Sequence, residues 1–245
     1  MGLQFAGGAP VAQQFATFAA ALRLTTNSPM TLCHWVRSLD TASASALMGL
    51  WDDYLTPTRY RGYRMLMYPS TNPTYQGRLQ GMLGTGADGE NPVFRIGTTD
   101  ICDGGWHHVA MTWAGSGDAI HLWVDGVEES YTVTSGTPVY APCSTNPFRM
   151  CYLYSNGSTY TLGANAEVFD VRVYAADRGS VIPTIFRSQG ADRILGNLVA
   201  RWPCIGEEGV VASGDVGDIM DVGSGGLNCT SDNGPTYSAS ALRLY

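Results

Sequence analysis

The sequence predicts an all-β protein, a two-sheet antiparallel sandwich with one short helix, and two observations lead to this class. Short segments rich in apolar, β-branched and aromatic residues recur along the 245-residue chain, and turn-forming residues separate them; the chain has 30 glycines and 12 prolines. Only the stretch 180–195 carries apolar residues at a helical spacing. A chain of this length fits one such sandwich.

The predicted strands are the apolar segments between turn signals. They lie at 2–5, 30–37, 45–51, 63–68, 78–84, 92–98, 106–113, 119–125, 148–154, 166–174 and 198–202. Pro183 limits any helix in the stretch 180–195 to a short one, because proline is tolerated only in the first turn.

The clearest local pattern is a β-hairpin within Gly104–Glu128. Two strand-length apolar runs flank the turn-forming cluster Gly115–Asp118, and Asp125-Gly126 then predicts a second, tight turn because glycine tolerates a positive φ. Asn156-Gly157 predicts a further two-residue hairpin turn by the same reasoning.

This hairpin, Trp-His-His-Val-Ala followed by Leu-Trp-Val-Asp-Gly-Val, resembles the central hairpin of laminin-G-like, concanavalin A-like jelly-roll domains. Further segments are similar to other landmarks of that family, in the same order: Gly2–Gly8, Pro29–Arg37, Ala166–Tyr174 and Leu198–Pro203. The resemblance implies a concanavalin A-like jelly roll over residues 1–203. It implies a scaffold used mostly for recognition and assembly, and the fold alone does not settle the function.

Residues 204–245 differ in composition from the rest of the chain, because they are rich in glycine, serine and aspartate. We predict a C-terminal extension that packs on the same domain or on a neighbouring subunit.

The composition of the whole chain also restricts its partners. The net charge is −7, the chain has no lysine, and this balance argues against nucleic-acid binding.

The sequence offers no signal for a membrane or for export. No run of 18 apolar residues is present, so we predict no membrane-spanning helix. Residues 1–15 lack a basic segment and an unbroken apolar core, and we therefore expect a protein that is made and used without an export signal.

The sequence predicts no catalytic site. His107 and His108 are adjacent on a strand, so their side chains point to opposite faces and do not easily share one ion. Some glucanases with this fold use paired carboxylates on one strand face. The nearest candidates here, Glu167 and Asp170, are three residues apart, and strict alternation would place them on opposite faces.

The candidate binding residues for a ligand or partner lie in a segment that combines aromatic, acidic and arginine side chains, joined by one loop tyrosine. They are Trp51, Asp53, Tyr54, Arg59, Tyr60, Tyr63 and Tyr75. Such a mixture suits either sugar rings, which stack on aromatic faces, or a protein surface, and the sequence leaves both open. We expect the other five tryptophans in the core.

Two further features allow alternatives. The acids Asp215, Asp218 and Asp221 cluster with glycine, and they are either ligands of a calcium ion, the commonest ion that the resemblance implies, or solvated turn residues. The six cysteines are either structural thiols or include a disulfide such as Cys204–Cys229.

Three functions follow from these observations. Our leading hypothesis is a non-enzymatic structural protein of a virus or phage particle, such as a capsid decoration protein or a head or tail accessory protein. It would be located in the virion and bind neighbouring protein subunits, in a homo-oligomer or on a capsid or tail, and surface glycans. The alternative is a carbohydrate-binding module of a bacterial cell-surface or extracellular protein. A degenerate glycoside hydrolase is disfavoured by the missing carboxylate pattern.

Overall fold

A computed structural model of the chain confirms the predicted fold class, a sandwich of two antiparallel sheets with one short helix. The structure describes residues 3–5, 15–18, 22, 24–38, 45–55, 58–87, 91–136, 138–143, 148–151, 165–204, 209–210, 229–232 and 236–237.

The first sheet, sheet A, contains the hairpin that stood out in the sequence. Its strands in spatial order are β10 (Val127–Glu128), β9 (His121–Val124), β8 (Trp106–Trp113), β3 (Met30–Ser38), β13 (Ala166–Tyr174), β1 (Leu3–Phe5), β17 (Thr236–Tyr237) and β15 (Gly209–Val210), and β14 (Leu198–Trp202) also pairs with β13.

The second sheet, sheet B, packs against sheet A. Its strands in spatial order are β11 (Val133–Ser135), β7 (Val93–Asp100), β6 (Arg78–Thr85), β5 (Thr58–Met67), β4 (Ser45–Leu55), β12 (Phe148–Met150), β2 (Phe15–Phe18) and β16 (Cys229–Asp232).

The main core lies between the two sheets, because each strand turns its alternate apolar side chains inward. Trp113, Trp202 and Tyr63 are among its largest fully buried members. The sheets approach so closely at Gly81 that a Cβ atom there would lie 2.7 Å from the Leu122 side chain. Trp35 is also buried, whereas Trp106 and Trp123 are half-buried.

Both turns predicted for the long hairpin are present. Asp125 (φ 50°) and Gly126 (φ 77°) form the two-residue turn between β9 and β10, and such turns need positive φ at both positions. The loop at Gly115–Asp118 is closed by the Trp113 indole N–H, which donates to the Asp118 carbonyl at 3.0 Å. The turn predicted at Asn156-Gly157 lies outside the described residues.

Two local predictions need adjustment. The helix α1 spans Ile182–Ser188 after a 3-10 turn at Gly179–Val181, and it ends at Gln189 in the left-handed region. The predicted strands 45–51 and 63–68 were too short: β4 continues to Leu55 and β5 begins at Thr58, so the two form one long hairpin that extends beyond the apolar runs that marked them.

The backbone of the C-terminal segment pairs within the chain. β17 pairs with β1, β15 pairs with β17, and β16 pairs with β2. The division into a domain at 1–203 and an extension at 204–245 stays a prediction.

Strand β13 contains a bulge that alters which face its side chains occupy. Asp170 has φ 49°, and the register against β3 shifts between Phe169 and Arg172. The extra residue places Val168 and Val171 both in the core, so Glu167 and Asp170 share the outer face of sheet A. Our prediction that these two carboxylates face opposite sides was therefore wrong, because strict alternation does not hold across a bulge.

Candidate functional site

The outer face of sheet B carries a cluster of apolar and aromatic side chains that is separate from the main core. Its members are Ala46, Trp51, Tyr60, Leu66, Met82 and Phe94. All of them belong to strands β4 to β7, and the ring centroids of Trp51 and Tyr60 lie 5.9 Å apart. We call this surface the sheet B face.

Strand alternation and register bring these residues together from distant parts of the sequence. In β5, Tyr63, Met65 and Met67 point into the core, so the residues between them point outward. Arg64 pairs with Met82, and Met82 pairs with Phe94, which places three outward residues side by side on adjacent strands.

Arg64 is the central cation of the sheet B face. Its guanidinium carbon lies 4.1 Å from the centroid of the Trp51 ring, and its Nε donates to the sulfur of Met82 at 3.0 Å. A cation over an indole ring is attracted by the negative face of the ring. Trp51 is only 2% exposed, whereas Arg64, Tyr60 and Phe94 are half-buried and present part of their surface to solvent.

The structure brings only some of the predicted binding residues together. Trp51 and Tyr60 meet on the sheet B face. The backbones of Asp53, Tyr54 and Arg59 lie in the adjoining β4–β5 hairpin, where Asp53 pairs with Tyr60 and Tyr54 with Arg59, and the side chains of these three lie outside the described part of the structure.

The other two predicted residues are elsewhere. Tyr63 is fully buried in the main core, and its hydroxyl donates to the Leu22 carbonyl at 2.8 Å, so its selection as a contact residue was wrong. Tyr75 lies in the turn before β6 and packs against Tyr68 with ring centroids 5.1 Å apart. Tyr68 lies six residues after Gly62, which pairs with Trp51. Six residues of strand span about 20 Å, so the Tyr68–Tyr75 pair is distant from Trp51.

The outer face of sheet A is organised differently, because α1 covers it. Ile182 and Ile185 of α1 pack on Cys33, Ala110 and Tyr174. We call this surface the sheet A face.

Beside α1 lies a buried network of ion pairs. Arg172 bonds Asp170 at 2.5 Å and Asp192 at 2.7 Å, and Arg201 bonds Asp170 at 2.7 Å. Burial opposes the ionisation of Asp192, but hydrogen bonds from Arg172, Ser188 and the Ile194 amide hold its pKa below the usual value. Every charge of this network is matched, so the network stabilises the chain around α1.

The two adjacent histidines have separate environments. His107 bonds Asp125 at 2.8 Å and Asp103 at 3.0 Å, and these hydrogen bonds, Asp125 first, raise its pKa to about 9. His108 is buried on the sheet A face, with its ring 5.4 Å from Trp35, and burial lowers its pKa to about 4. Each histidine has its own structural surroundings, and the two do not form a common site.

The candidate metal ligands Asp215, Asp218 and Asp221 lie outside the described residues. Within the described part of the chain, no group of three or more histidine, cysteine, aspartate or glutamate residues is arranged to hold a metal ion. Cys33 and Cys151 are buried thiols, and the Cys229 side chain is not described, so the Cys204–Cys229 disulfide stays a prediction.

Arg64, Met82 and Phe94 are the site residues that sequence reasoning missed. Each lies in or beside a segment predicted as a strand, and alternation would have assigned each to a face. Their proximity depends on the pairing register of β5, β6 and β7, which a single sequence does not specify.

Comparisons with known proteins identify the family. The family described as the concanavalin A-like lectin/glucanases superfamily matches residues 11–178 of this sequence. The chain belongs to this superfamily. A comparison with curated protein sequences found no match. In the described part of the chain, no helix has the length and apolar character needed to cross a membrane.

Several solved structures share the fold. One is a candidate carbohydrate-binding protein from Bacteroides ovatus, with a TM-score of 0.66 and 17% identity over 98% of this chain; the match spans 60% of that protein. A heptameric SAP-like pentraxin from Limulus polyphemus matches with a TM-score of 0.54 and 14% identity over 77% of this chain and 82% of its own.

The binding domain of botulinum neurotoxin DC, solved in complex with SialylT, matches with a TM-score of 0.51 and 11% identity. That match covers 76% of this chain and 42% of the toxin chain. At these identities the likeness shows a shared fold, and the chemistry of a site has to be argued from its own residues.

Proposed function

We propose that this protein binds carbohydrate, without catalysis, on the sheet B face. The observation that carries the proposal is the arrangement of half-buried Tyr60, Arg64 and Phe94 on the sheet B face, where Arg64 stacks on Trp51 and bonds Met82. Sugar rings present flat apolar faces that stack on aromatic side chains, and their hydroxyls accept hydrogen bonds from guanidinium groups. The sheet B face offers both kinds of contact.

The comparisons support carbohydrate binding more than our leading sequence hypothesis. The Bacteroides ovatus protein is described as a candidate carbohydrate-binding protein, and the toxin domain was solved with SialylT. The proteins named here give no support to a virus or phage particle, and they favour the alternative of a carbohydrate-binding module that acts at a cell surface or outside the cell.

The proposal of binding without catalysis rests on the environment of the carboxylates. Glu167 and Asp170 share a face of sheet A, but both are buried. Asp170 bonds two arginines, and Glu167 lies 3.8 Å from Arg37. Arg172 donates to one oxygen of Asp170 and Arg201 donates to the other, so neither oxygen is open to a glycosidic oxygen.

A glycan array with matched variants tests this proposal. The full chain is applied to immobilised neutral and acidic oligosaccharides, together with Tyr60→Ala and Tyr75→Ala variants. We expect the wild type to bind a defined set of glycans and Tyr60→Ala to weaken that binding about tenfold, because a stacking ring is lost. Tyr75→Ala, the same substitution at the opposite end of the sheet, should bind as the wild type does.

Two results would contradict the proposal. Absence of binding to every glycan on the array would exclude carbohydrate binding. Loss of binding in Tyr75→Ala with full binding in Tyr60→Ala would move the site to the turn that contains Tyr68 and Tyr75.

A further inference from the structure

A small pocket lies at the edge of the sandwich, where strands β7 and β11 of sheet B meet the loop between β8 and β9 of sheet A. Its volume is about 40 Å³. Thr134 and Gly136 border the pocket and are exposed, so the pocket opens to solvent. Phe94 also lines it and is a member of the sheet B face, so the two sites adjoin. We call this site the edge pocket.

The volume of the edge pocket limits what it can hold. A cavity needs roughly 10–15 Å³ for each water-sized group, so about 40 Å³ has room for about three such groups. A sugar ring with its hydroxyls is too large. A substituent on a sugar, such as a carboxylate or an acetyl group, has three non-hydrogen atoms and fits.

The lining of the edge pocket combines apolar and polar residues. Three apolar residues of the lining are Val93, Ile120 and Pro138. Its polar residues are Arg95, Thr134 and Ser135. A carboxylate has no apolar atoms to set against the first group. An acetyl group has a methyl for the apolar residues and a carbonyl oxygen for a hydrogen-bond donor, so it matches both parts of the lining.

The Arg95 side chain is held in place before any ligand binds. Its Nη1 donates to the Ile120 carbonyl at 2.7 Å, and its guanidinium carbon lies 4.2 Å from the centroid of the Tyr131 ring. These contacts restrict the side chain, which reduces the conformational entropy lost on binding. A guanidinium has five N–H groups, so within the described part of the chain these contacts leave donors for a further acceptor.

The charge of Arg95 is partly balanced by Glu128. The hydrogen bond from His121 is the main cause that lowers the pKa of the Glu128 carboxyl, and the nearby charge of Arg95 lowers it further. Tyr131 joins the two residues, because its hydroxyl donates to Glu128 at 3.1 Å and its ring packs against Arg95. A cation beside a carboxylate, in a chain of net charge −7, attracts an added anion only weakly. A neutral acceptor is therefore the better match.

We propose that the edge pocket binds the acetamido group of an N-acetylated sugar, an inference that rests on the proposed carbohydrate-binding function. The methyl group packs on the apolar residues, and the carbonyl oxygen accepts a hydrogen bond from Arg95. The hydroxyls of Thr134 and Ser135 supply acceptors for the amide N–H. The ring that carries the group then lies beside Phe94, because Phe94 pairs with Ser135 between β7 and β11.

Calorimetric titration of the full chain with matched glycan pairs tests this inference. The pairs are N-acetyllactosamine with lactose, and tetra-N-acetylchitotetraose with cellotetraose; within each pair a hydroxyl replaces each acetamido group. We expect the acetylated member of at least one pair to bind about tenfold more tightly, because it gains a buried methyl group and a charge-assisted hydrogen bond. The N-butanoyl analogue of that member should lose this advantage, because its two added carbons exceed the volume of the edge pocket.

Variants locate the effect. Ala119→Leu should fill the edge pocket and remove the preference for the acetylated member, whereas Ala191→Leu, at an exposed alanine after α1, should leave the preference unchanged. Arg95→Met should weaken binding of the acetylated member about tenfold. Arg187→Met, at an exposed arginine on α1, is its matched control and should bind as the wild type does. Thermal melting of each variant shows that it is folded before titration.

Saturation-transfer NMR of the wild type gives a readout that needs no variant. Protein protons transfer saturation most efficiently to the ligand protons that they contact, so the acetyl methyl signal should be the most strongly affected signal of the bound glycan. A methyl signal affected less than the ring protons would show that the acetamido group points to solvent, and it would overturn the inference.

The possible failures are distinguishable. Equal affinity for both members of each pair, or no binding of any of the four glycans, overturns the inference; if Tyr60→Ala still weakens binding on the array, the proposed function stands. A preference for the acetylated member that survives both Ala119→Leu and Arg95→Met overturns the edge pocket as its site. Binding of trigalacturonate that is tighter than that of either acetylated glycan, and is lost in Arg95→Met, overturns the choice of a neutral group.

Discussion

The sheet A face and the sheet B face both contain buried or half-buried arginines, but the arginines contact different groups. On the sheet A face, Arg172 and Arg201 bond the carboxylates of Asp170 and Asp192 within 2.5–2.7 Å. On the sheet B face, the contacts of Arg64 include the ring of Trp51 and the sulfur of Met82. The first set of contacts neutralises charge inside the protein, and the second places a guanidinium against an aromatic ring and a thioether.

This difference separates stability from recognition. An arginine bonded to two buried carboxylates has its donors occupied, and its removal leaves unpaired charges. An arginine stacked on an aromatic ring at a partly exposed site contributes less to stability, because such a contact is worth only about 0.5–1 kcal/mol. Substitutions on the sheet A face should therefore affect mainly folding, whereas those on the sheet B face should affect mainly binding.

The largest expected effect is the loss of Arg172. The Arg172→Met variant should lower the free energy of unfolding by about 3–5 kcal/mol, because buried Asp170 and half-buried Asp192 would lose their shared cation. Urea unfolding measures this change. Arg187→Met on the exposed side of α1 is the matched control and should change stability by less than about 0.5 kcal/mol. Similar losses of unfolding free energy in Arg172→Met and Arg187→Met would contradict the structural role that we assign to the sheet A face.

Acid should destabilise the protein through its buried histidines. Burial lowers the pKa of His108 to about 4 and that of His34 to about 3, and the described residues supply no hydrogen-bond partner for either ring. Below about pH 6.5 the unfolded chain binds protons that the folded chain does not, so each histidine contributes a loss of stability as the pH falls toward its folded pKa.

For each histidine, the free energy of unfolding should fall by about 1.4 kcal/mol per pH unit, which is about 3 kcal/mol in total for His108 between pH 6.5 and 4. Urea unfolding at a series of pH values measures it, and His108→Phe should remove the contribution of that residue. If the free energy of unfolding of His108→Phe depends on pH as it does in the wild type, burial on the sheet A face does not keep His108 unprotonated.

A smaller effect is expected at the turn that supports α1. Gly126 has φ 77°, and a Cβ atom there would lie 2.9 Å from the ring of Phe186. Gly126→Ala should lower stability by about 1–2 kcal/mol, because alanine is strained at this φ and displaces Phe186. Thermal unfolding measures the loss. Gly117→Ala, which also has a positive φ but has no atoms within 4 Å of the added Cβ, separates backbone strain from the steric contact.

The smallest change in stability should come from the sheet B face. Arg64→Gln removes a cation stacked on Trp51 and should lower the free energy of unfolding by only about 0.5–1 kcal/mol, although it should weaken glycan binding strongly. Urea unfolding of this variant beside Arg172→Met gives the comparison directly. A loss as large as that of Arg172→Met would place Arg64 among the residues that maintain the fold.

The sequence predicted the architecture well because alternation and turns are local properties. The strands of the Gly104–Glu128 hairpin and the turn at Asp125-Gly126 follow from residues within a few positions of one another. The bulge at Asp170 was missed because no glycine or proline marks it, and ion pairs with Arg172 and Arg201 hold its unusual φ.

The site was only partly predictable. Trp51 and Tyr60 were selected because they lie in one aromatic segment, and hairpin pairing does place them together. Tyr63 was selected for the same reason, but it occupies the opposite face of the strand. Met82 and Phe94 are distant from Trp51 in sequence, and they join the site only through the register of strands across sheet B.

The central claim is that the sheet B face binds glycan while the sheet A face maintains the fold. Two-dimensional NMR of the isotopically labelled full chain, titrated with the glycan that binds most tightly on the array, tests it most directly. The account predicts shifts in the amides of β4 to β7 and in the Arg64 Nε–H signal, with α1 and its ion-pair network unchanged. Shifts confined to α1 and the residues around Arg172, with β4 to β7 unmoved, would contradict it.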